Sequence, residues 1–241
     1  MTILFISDLH LTPLLPKITN CFIRFMREEA SKADRVYVLG DLFDFWVGDD
    51  DNSSFATLIK DELKKLTSSG VPCFFIRGNR DFLIGTRFAE YTGIRLLSDE
   101  AVIDLYDRKA VILHGDTLCT RDVKYLKYRQ KVRKPWLKWL FNCIPVYFKR
   151  IIINKIQSNV RGKKKFKSLD IMDVTASEVE KVFDLHNVDL MIHGHTHIPN
   201  IHQLNTDKGN KIRIVLGDWN HHGSILFYYK NRYELQIRPF D

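Results

Sequence analysis

Short apolar runs recur along the chain, and each ends in a glycine or a polar residue. They are Ile3–Ser7, Val36–Leu39, Cys73–Ile76, Val111–Leu113, Leu190–Ile192 and Ile212–Leu216. Runs with this length and these boundaries predict buried strands. The segments Lys17–Lys32 and Ser54–Ser69 have the pattern of helices, so the alternation predicts an α/β core. Near the end, Ser224–Tyr229 and Tyr233–Arg238 predict an antiparallel hairpin.

One segment, residues 121–170, differs in composition from the rest of the chain. It holds 16 Lys/Arg and 2 Asp/Glu, a local charge of +14, whereas the other residues hold 21 and 27, a charge of −6. Its middle is apolar and aromatic, with Trp136, Trp139 and Phe148 among the large side chains. We therefore expect a single domain over residues 1–241 with a basic, apolar helical cap inserted at 121–170. The net charge of +8 favours a phosphate-bearing partner, which nucleic acid, nucleotide or anionic lipid would satisfy equally.

Neither the cysteines nor the N-terminus indicates an exported protein. Cys21, Cys73, Cys119 and Cys143 form no CxxC pair and favour reduced thiols in a cytosolic protein. The first six residues have no basic region and no small-residue cleavage site, so they predict a strand and not a signal peptide. An uncharged apolar stretch of about 18 residues is absent from the sequence, so no transmembrane helix is expected.

Acidic, amide and imidazole side chains follow the predicted strands. In open α/β sheets, sites lie outside the carboxyl ends of the strands, so residues far apart in sequence converge there. The residues concerned are Asp8, His10, Asp41, Asn79, His114, His195 and His197. These side chains are ligands for Mn, Fe or Zn, and seven of them suit two ions that share a bridging carboxylate. Neighbouring glycines such as Gly40 and Gly78 allow a close backbone approach, and we expect a structural role for His193.

Each of these motifs is weak evidence for a site when it stands alone, but the order of the motifs along the chain resembles that of a known family. The motifs are Asp8-Leu9-His10, Gly40-Asp41-Leu42-Phe43-Asp44, Gly78-Asn79-Arg80-Asp81, His114-Gly115-Asp116 and Gly194-His195-Thr196-His197. The chain thereby resembles the calcineurin-like metallophosphoesterases. The resemblance implies a two-layer β-sandwich flanked by helices, with a dinuclear site at one rim. It assigns one metal to Asp8, His10, Asp41 and His197, and the other to Asp41, Asn79, His114 and His195, with Asp41 bridging.

A narrower resemblance rests on residues 40–50, 78–83, 114–122 and 171–174, which look like those of the bacterial UDP-2,3-diacylglucosamine pyrophosphatases of lipid A synthesis. It implies hydrolysis to UMP and 2,3-diacylglucosamine 1-phosphate with two Mn²⁺ or other divalent ions, by metal-bound hydroxide attacking the uridine-side phosphorus. It gives catalytic roles to Asp41, Asn79, Arg80 and His195. The implied substrate contacts are Asn79, Arg80, Asp122, Tyr125, Lys164, Lys167 and His195. This chain has Val160 where that family often has a small polar residue.

The composition of the cap also bears on location and on the alternative functions. An apolar, aromatic and basic segment suits two acyl chains, a diphosphate and an anionic membrane interface. We expect a peripheral protein on the cytoplasmic side of the bacterial inner membrane, with neither nucleic acid nor an obligate protein as partner. A nuclease, a phosphoprotein or cyclic-nucleotide phosphatase, and a metal-free scaffold are the alternatives. The cap is unusually apolar for a nuclease, a soluble substrate requires no apolar cap, and a scaffold would have lost ligands.

Overall fold

The computed structural model describes residues 1–106, 108–153, 155, 173–207 and 209–240. Its strands are β1 (Thr2–Ile6), β2 (Arg35–Val38), β3 (Cys73–Phe75), β4 (Arg95–Leu96), β5 (Glu100–Leu105), β6 (Arg108–Leu113), β7 (Leu190–His193), β8 (Asn200–Thr206), β9 (Gly209–Val215), β10 (His222–Tyr229) and β11 (Tyr233–Pro239). The helices are α1 (Pro16–Glu28), α2 (Ser54–Ser68), α3 (Thr86–Thr92), α4 (Val123–Val132), α5 (Pro135–Asn142) and α6 (Ala176–His186), and residues 146–153 are also helical.

The strands form two sheets. A six-stranded sheet has the order β11-β10-β1-β2-β3-β4, and a five-stranded sheet has the order β5-β6-β7-β9-β8. In the first sheet β1, β2 and β3 are parallel, and in the second β6, β7 and β9 are parallel. Consequently the carboxyl ends of these central strands meet at one edge of each sheet. The predicted C-terminal hairpin is confirmed as β10 paired antiparallel with β11.

The central strands are apolar because both of their faces are buried. On β1, Ile3 and Phe5 pack between the sheets with Ile192 of β7, whereas Leu4 and Ile6 face the opposite side. That opposite side packs against α1 and α2, and α6 covers the outer face of the second sheet. Burial on both faces is typical of parallel strands covered by helices. The expected α/β class, a two-layer β-sandwich flanked by helices, is confirmed.

Local signals explain where several helices begin and end. Ser53 caps α2 by accepting a hydrogen bond from the backbone N–H of Ala56, and α3 ends at Gly93 with φ 73°. The helix predicted over Lys17–Lys32 is shorter than expected. It ends at Glu28, and Ala30–Lys32 form a 3-10 turn that buries Ala30 in the core.

Helices occupy the described part of the basic segment. They are α4, α5 and residues 146–153, while residues 154 and 156–170, with Lys164 and Lys167, lie outside the described residues, as do residues 171 and 172 of the narrower resemblance. The division into one domain with an inserted cap stays a prediction. Among the described residues, no helix combines the length and the apolar character needed to cross a bilayer.

Candidate metal centre

The seven predicted ligands converge at the carboxyl ends of the strands. Ligand atoms of Asp8, His10 and His197 lie within 4.8 Å of one another, and so do those of Asp8, Asp41 and His114. Asp8 follows β1, Asp41 follows β2 and His114 follows β6, so the site spans both sheets. These side chains are buried or half-buried. The structure therefore brings together groups separated by up to 189 positions in the sequence.

Asn79 and His195 lie on the side of the cluster that contains His114. The amide Oδ1 of Asn79 is 3.0 Å from His114 Nε2 and 3.0 Å from His195 Nδ1. The two oxygens of Asp41 face in different directions. Its Oδ1 is 3.7 Å from His114 Nε2, and its Oδ2 is 3.9 Å from His10 Nδ1. Asp41 thus lies between the two predicted ligand groups, where a bridging carboxylate would lie.

The backbone at these residues adopts an unusual conformation. Among the described residues, seven non-glycine residues have positive φ, and five of them are predicted ligands: Asp8 (57°), His10 (49°), Asp41 (54°), His195 (71°) and His197 (62°). Such left-handed conformations are uncommon outside glycine and persist where surrounding contacts hold them, most often at functional sites.

Two glycines allow the loops to approach closely enough to form the cluster. A Cβ atom on Gly78 would collide with Asp41 Oδ1 and would lie 2.5 Å from the backbone nitrogen of Asp41. A Cβ atom on Gly194 would collide with Ser7 Oγ and Asp8 Oδ2. The expected close approach at Gly78 is thus present, and any larger residue there would displace a predicted ligand.

Burial and neighbouring charges perturb the titration of these groups. Burial disfavours ionisation of Asp8, but the neighbouring imidazoles, His197 first among them, outweigh it and hold the pKa of Asp8 well below its usual range. Burial raises the pKa of Asp41 to about 7, and the carboxylate of Asp8 acts in the same direction. Burial and the charge of His114 lower the pKa of His195 to about 3, so its imidazole is neutral and able to bind a metal.

The donor set fits divalent cations. Asp8 Oδ1 is buried and has no hydrogen-bond partner among the described residues, although it lies 3.4 Å from His197 Nε2. Buried carboxylates are costly unless they are paired with cations or coordinate metals. Carboxylate oxygens, imidazole nitrogens and an amide oxygen are ligands that Mn, Fe and Zn accept. Which residues hold which ion stays a prediction.

The structure reveals supporting roles that the motifs did not assign. Asp81 accepts hydrogen bonds from the backbone N–H groups of Leu42 (2.8 Å) and Gly78 (2.7 Å), which fixes the two ligand loops to each other. Asp218 Oδ2 is 3.4 Å from His197 Nδ1, on the opposite side of the ring from Asp8. The sequence held a signal for Asp218, because Gly217-Asp218 repeats the strand–Gly–Asp pattern of Asp41.

His193 has structural contacts, as expected. Its Nδ1 donates to the carbonyl of Gly194 at 2.8 Å, and its Nε2 is 3.1 Å from Arg213 Nη1. Burial and the charge of Arg213 lower the pKa of His193 to about 3, so its ring is neutral and its Nε2 accepts from the guanidinium. The contacts of His193 with Arg213 and with the carbonyl of Gly194 anchor the turn that carries His195.

The predicted substrate contacts differ in their surroundings. The backbone N–H of Arg80 donates to Asp41 Oδ1 at 2.8 Å, and its guanidinium is 3.8 Å from Asp44 Oδ1. The carboxylate of Asp122 caps α4 by accepting from the backbone N–H of Tyr125. The hydroxyl of Tyr125 donates to Asp116, while its ring stacks against His195 with centroids 6.3 Å apart. Lys164 and Lys167 lie outside the described residues.

Several cations of the basic segment bind carboxylates or backbone carbonyls of the core. Arg129 Nε is 2.6 Å from buried Asp116, and Arg133 donates to the carbonyl of Gly78 at 2.8 Å. In helical residues 146–153, the fully buried Lys149 pairs with Asp50 at 2.9 Å. Part of the basic excess therefore attaches these helices to the core, and Arg133 reaches the loop that carries Asn79.

An apolar cavity of about 780 Å³ opens beside the cluster. Its walls come from the loop after β1, the loop after β2, the start of α2 and helical residues 146–153. Phe43, Trp46 and Phe55 contribute aromatic surface to it, and Arg150 and Ile153 line it from the basic segment.

Comparison with known proteins identifies the family. A family model described as calcineurin-like phosphoesterase matches residues 1–199. A UDP-2,3-diacylglucosamine hydrolase of Vibrio parahaemolyticus is 60% identical over 241 residues, covering 100% of both chains. Another, from Vibrio atlanticus, is 57% identical over 236 residues, covering 98% of this chain and 97% of the relative. A solved archaeal phosphodiesterase, 16% identical, has a TM-score of 0.50 over 98% of this chain and 99% of its own, which supports the fold alone. The resemblance inferred from the motifs is thus confirmed, and this chain belongs to the calcineurin-like phosphoesterases and, within them, to the UDP-2,3-diacylglucosamine hydrolase family of enzymes.

Proposed function

We propose that this hydrolase cleaves the diphosphate linkage of UDP-2,3-diacylglucosamine, a step of lipid A biosynthesis. The products are UMP and 2,3-diacylglucosamine 1-phosphate, with water attacking the uridine-side phosphorus. The names of the Vibrio relatives support the substrate. The observation that carries the proposal is the position of a buried carboxylate–imidazole cluster beside an apolar cavity of about 780 Å³. A substrate with a diphosphate at one end and acyl chains at the other matches this arrangement.

The cavity and the cluster are connected by adjacent residues. Leu11 lines the cavity and directly follows His10. Asp44 also lines the cavity and lies 3.8 Å from the guanidinium of Arg80. A ligand that holds its phosphate at Arg80 can therefore extend an acyl chain towards Trp46 without leaving the surface of the protein.

The proposed cofactors are two divalent ions, Mn²⁺ or another of similar chemistry. Asp8, His10, Asp41 and His197 would hold one ion, and Asp41, Asn79, His114 and His195 the other. When bound, such ions lower the pKa of water and neutralise the charge that develops on phosphoryl oxygens. The family and the Asp–His clusters of this chain support divalent-metal binding.

Other groups of the chain bind and orient the substrate in this proposal. Arg80 offers a planar, permanently charged donor that matches two phosphoryl oxygens. With Oδ1 of Asn79 between two imidazoles, its amide N–H groups are left to donate to a phosphoryl oxygen. The ring of Tyr125 beside His195 makes α4 one wall of the substrate site. Asp122, Lys164 and Lys167 are proposed as further contacts.

The proposal also places the enzyme at the cytoplasmic face of the bacterial inner membrane. Trp136, Trp139, Tyr147 and Phe148 are 55–70% exposed on the helices of the basic segment. Amphipathic aromatic rings among Lys and Arg residues favour the interface of an anionic bilayer. The proposal involves neither nucleic acid nor an obligate protein partner.

Product analysis in ¹⁸O-labelled water tests this function. The purified enzyme with Mn²⁺ should convert UDP-2,3-diacylglucosamine to labelled UMP and unlabelled lipid phosphate. Arg80→Ala should lower turnover while the bound metal is retained, because its backbone, and not its side chain, contacts Asp41. Arg87→Ala, at an exposed position of α3, is the matched control and should leave turnover unchanged.

Two results would contradict the proposal. Label in the lipid phosphate would mean that the other phosphorus is attacked. Faster turnover of single-stranded DNA than of the UDP-lipid would replace the proposed substrate with a nucleic acid.

A further inference from the structure

The loop between β1 and α1 exposes apolar side chains at the mouth of the cavity. This leucine loop, residues 12–15, is followed by Pro16 at the start of α1. Leu14 is 78% exposed and Leu15 is 46% exposed, yet Leu14 also lines the cavity. A side chain that does both lies at the opening. Exposed apolar groups beside a cavity commonly mark a binding surface.

Backbone hydrogen bonds hold the loop in this position. The N–H of Leu11 donates to the carbonyl of Leu42 at 2.9 Å, and the N–H of Asp44 donates to the carbonyl of Leu11 at 3.0 Å. At the tip, the N–H of Leu15 donates to the carbonyl of Thr12 at 3.1 Å and closes a turn. The two leucines are thus presented outward by an anchored turn.

The opposite wall of the cavity presents a similar surface. Helical residues 146–153 place Ile153 inside, at 4% exposure, and carry Phe148 (55%), Ile151 (50%) and Ile152 (39%) outside. The mouth of the cavity is therefore flanked by exposed apolar groups from two separate elements. Since one of them belongs to the core of the protein, the apolar surface extends beyond the basic segment.

Charges at the mouth favour an anionic surface over a neutral one. Lys17 is exposed in the first turn of α1, directly after the leucine loop, and Arg150 is half-exposed on the opposite wall. Arg150 pairs with Asp51 at 2.7 Å, so its own charge is largely compensated, but its helix belongs to the basic segment, which holds 16 Lys/Arg and 2 Asp/Glu over residues 121–170. Cations beside exposed leucines match the headgroups and the outer acyl region of an anionic bilayer.

We propose that the leucine loop inserts into the surface of an anionic phospholipid bilayer, opposite the helix of residues 146–153. Both elements that flank the cavity mouth then contact the bilayer, so an acyl chain passes from the bilayer into the cavity without crossing water. The role in substrate entry rests on the proposed function, whereas the contact with lipid does not depend on catalysis.

Vesicle binding tests the contact directly and without substrate. The full chain is sedimented with vesicles of phosphatidylglycerol and phosphatidylethanolamine. Leu14→Ser should lower the partition coefficient about tenfold, because a leucine side chain would no longer be removed from water. Leu15→Ser should lower it less, in line with its smaller exposure. The matched control is Leu185→Ser, which changes a leucine that is 75% exposed on α6 and should leave binding unchanged.

The results that would refute insertion of the leucine loop differ from the result that would reject only the proposed substrate. Equal partitioning of Leu14→Ser and wild type, or an equal loss in Leu185→Ser, would refute insertion of the loop. A change in oligomeric state of Leu14→Ser without a change in vesicle binding would assign the surface to a second copy of the chain, and would refute it too. Failure of the wild type to hydrolyse the UDP-lipid in detergent would reject the proposed substrate and leave the vesicle result intact.

Discussion

Replacing Gly78 by alanine tests whether close packing of the ligand loops holds the metal centre together. The new Cβ atom would lie 2.5 Å from the backbone nitrogen of Asp41, and ordinary contact begins at 3.4 Å. Relief of this overlap requires a displacement of about 0.9 Å, the difference between these distances. Gly78 does not have a left-handed φ, so the expected effect arises from the overlap and not from backbone strain.

The expected losses in stability and in rate follow from a displacement of this size at Asp41, a predicted metal ligand. Overpacking costs about 1–3 kcal/mol of stability, and for a chain of this size each kcal/mol lowers Tm by about 2–4 °C. A displacement of about 1 Å in a catalytic constellation can cost about 100-fold in rate. We therefore expect kcat/KM of Gly78→Ala to fall about 100-fold, with Tm lower by about 2–12 °C.

Calorimetric titration with Mn²⁺ separates the two effects, since it measures the metal affinity of the site and not the stability of the fold, and Gly78→Ala should bind Mn²⁺ more weakly than the wild type. Gly223→Ala is the matched control, because its Cβ atom would meet its nearest neighbours at 3.8 Å. It should bind Mn²⁺ and turn over as the wild type does. Wild-type metal affinity and turnover in Gly78→Ala would refute the inference that this contact positions Asp41.

Three further predictions concern the surroundings of the site. Asp116→Ala should lower the free energy of unfolding by about 3 kcal/mol, because it removes one partner of a buried ion pair with Arg129. Asp99→Ala removes an exposed acid that contacts the same Arg129 and should lower it by less than about 1 kcal/mol. Thermal unfolding measures both changes. Since the folded state holds the pKa of Asp116 below its usual range, this contribution is present above about pH 4 and should fade as the pH drops below it. Asp218→Asn should weaken Mn²⁺ binding about 10–100-fold in calorimetric titration, because it loosens His197. EDTA should lower Tm by about 5–11 °C for each ion removed when free ions are present at about 100 times Kd, and Asp41→Ala should show a smaller shift.

The candidate ligands could be found in the sequence because each follows a strand end. Parallel strands share one edge, so position along the chain was enough to group Asp8, Asp41 and His114. The supporting carboxylates could not be assigned in the same way. Asp81 and Asp218 matter because of the groups opposite them, a backbone N–H of another loop and the far side of an imidazole. Those neighbours are set by how the loops pack.

The composition of residues 121–170 likewise predicted a basic, apolar segment but not which way its side chains point. A sum of charges carries no direction, and only packing decided that Arg129 and Lys149 pair with core acids while Trp139 stays exposed. The same division holds at the metal centre. Local sequence determined the strands and the kinds of ligand. Left-handed backbone at Asp8 and His197 is locally unfavourable, so only contacts between distant loops hold it.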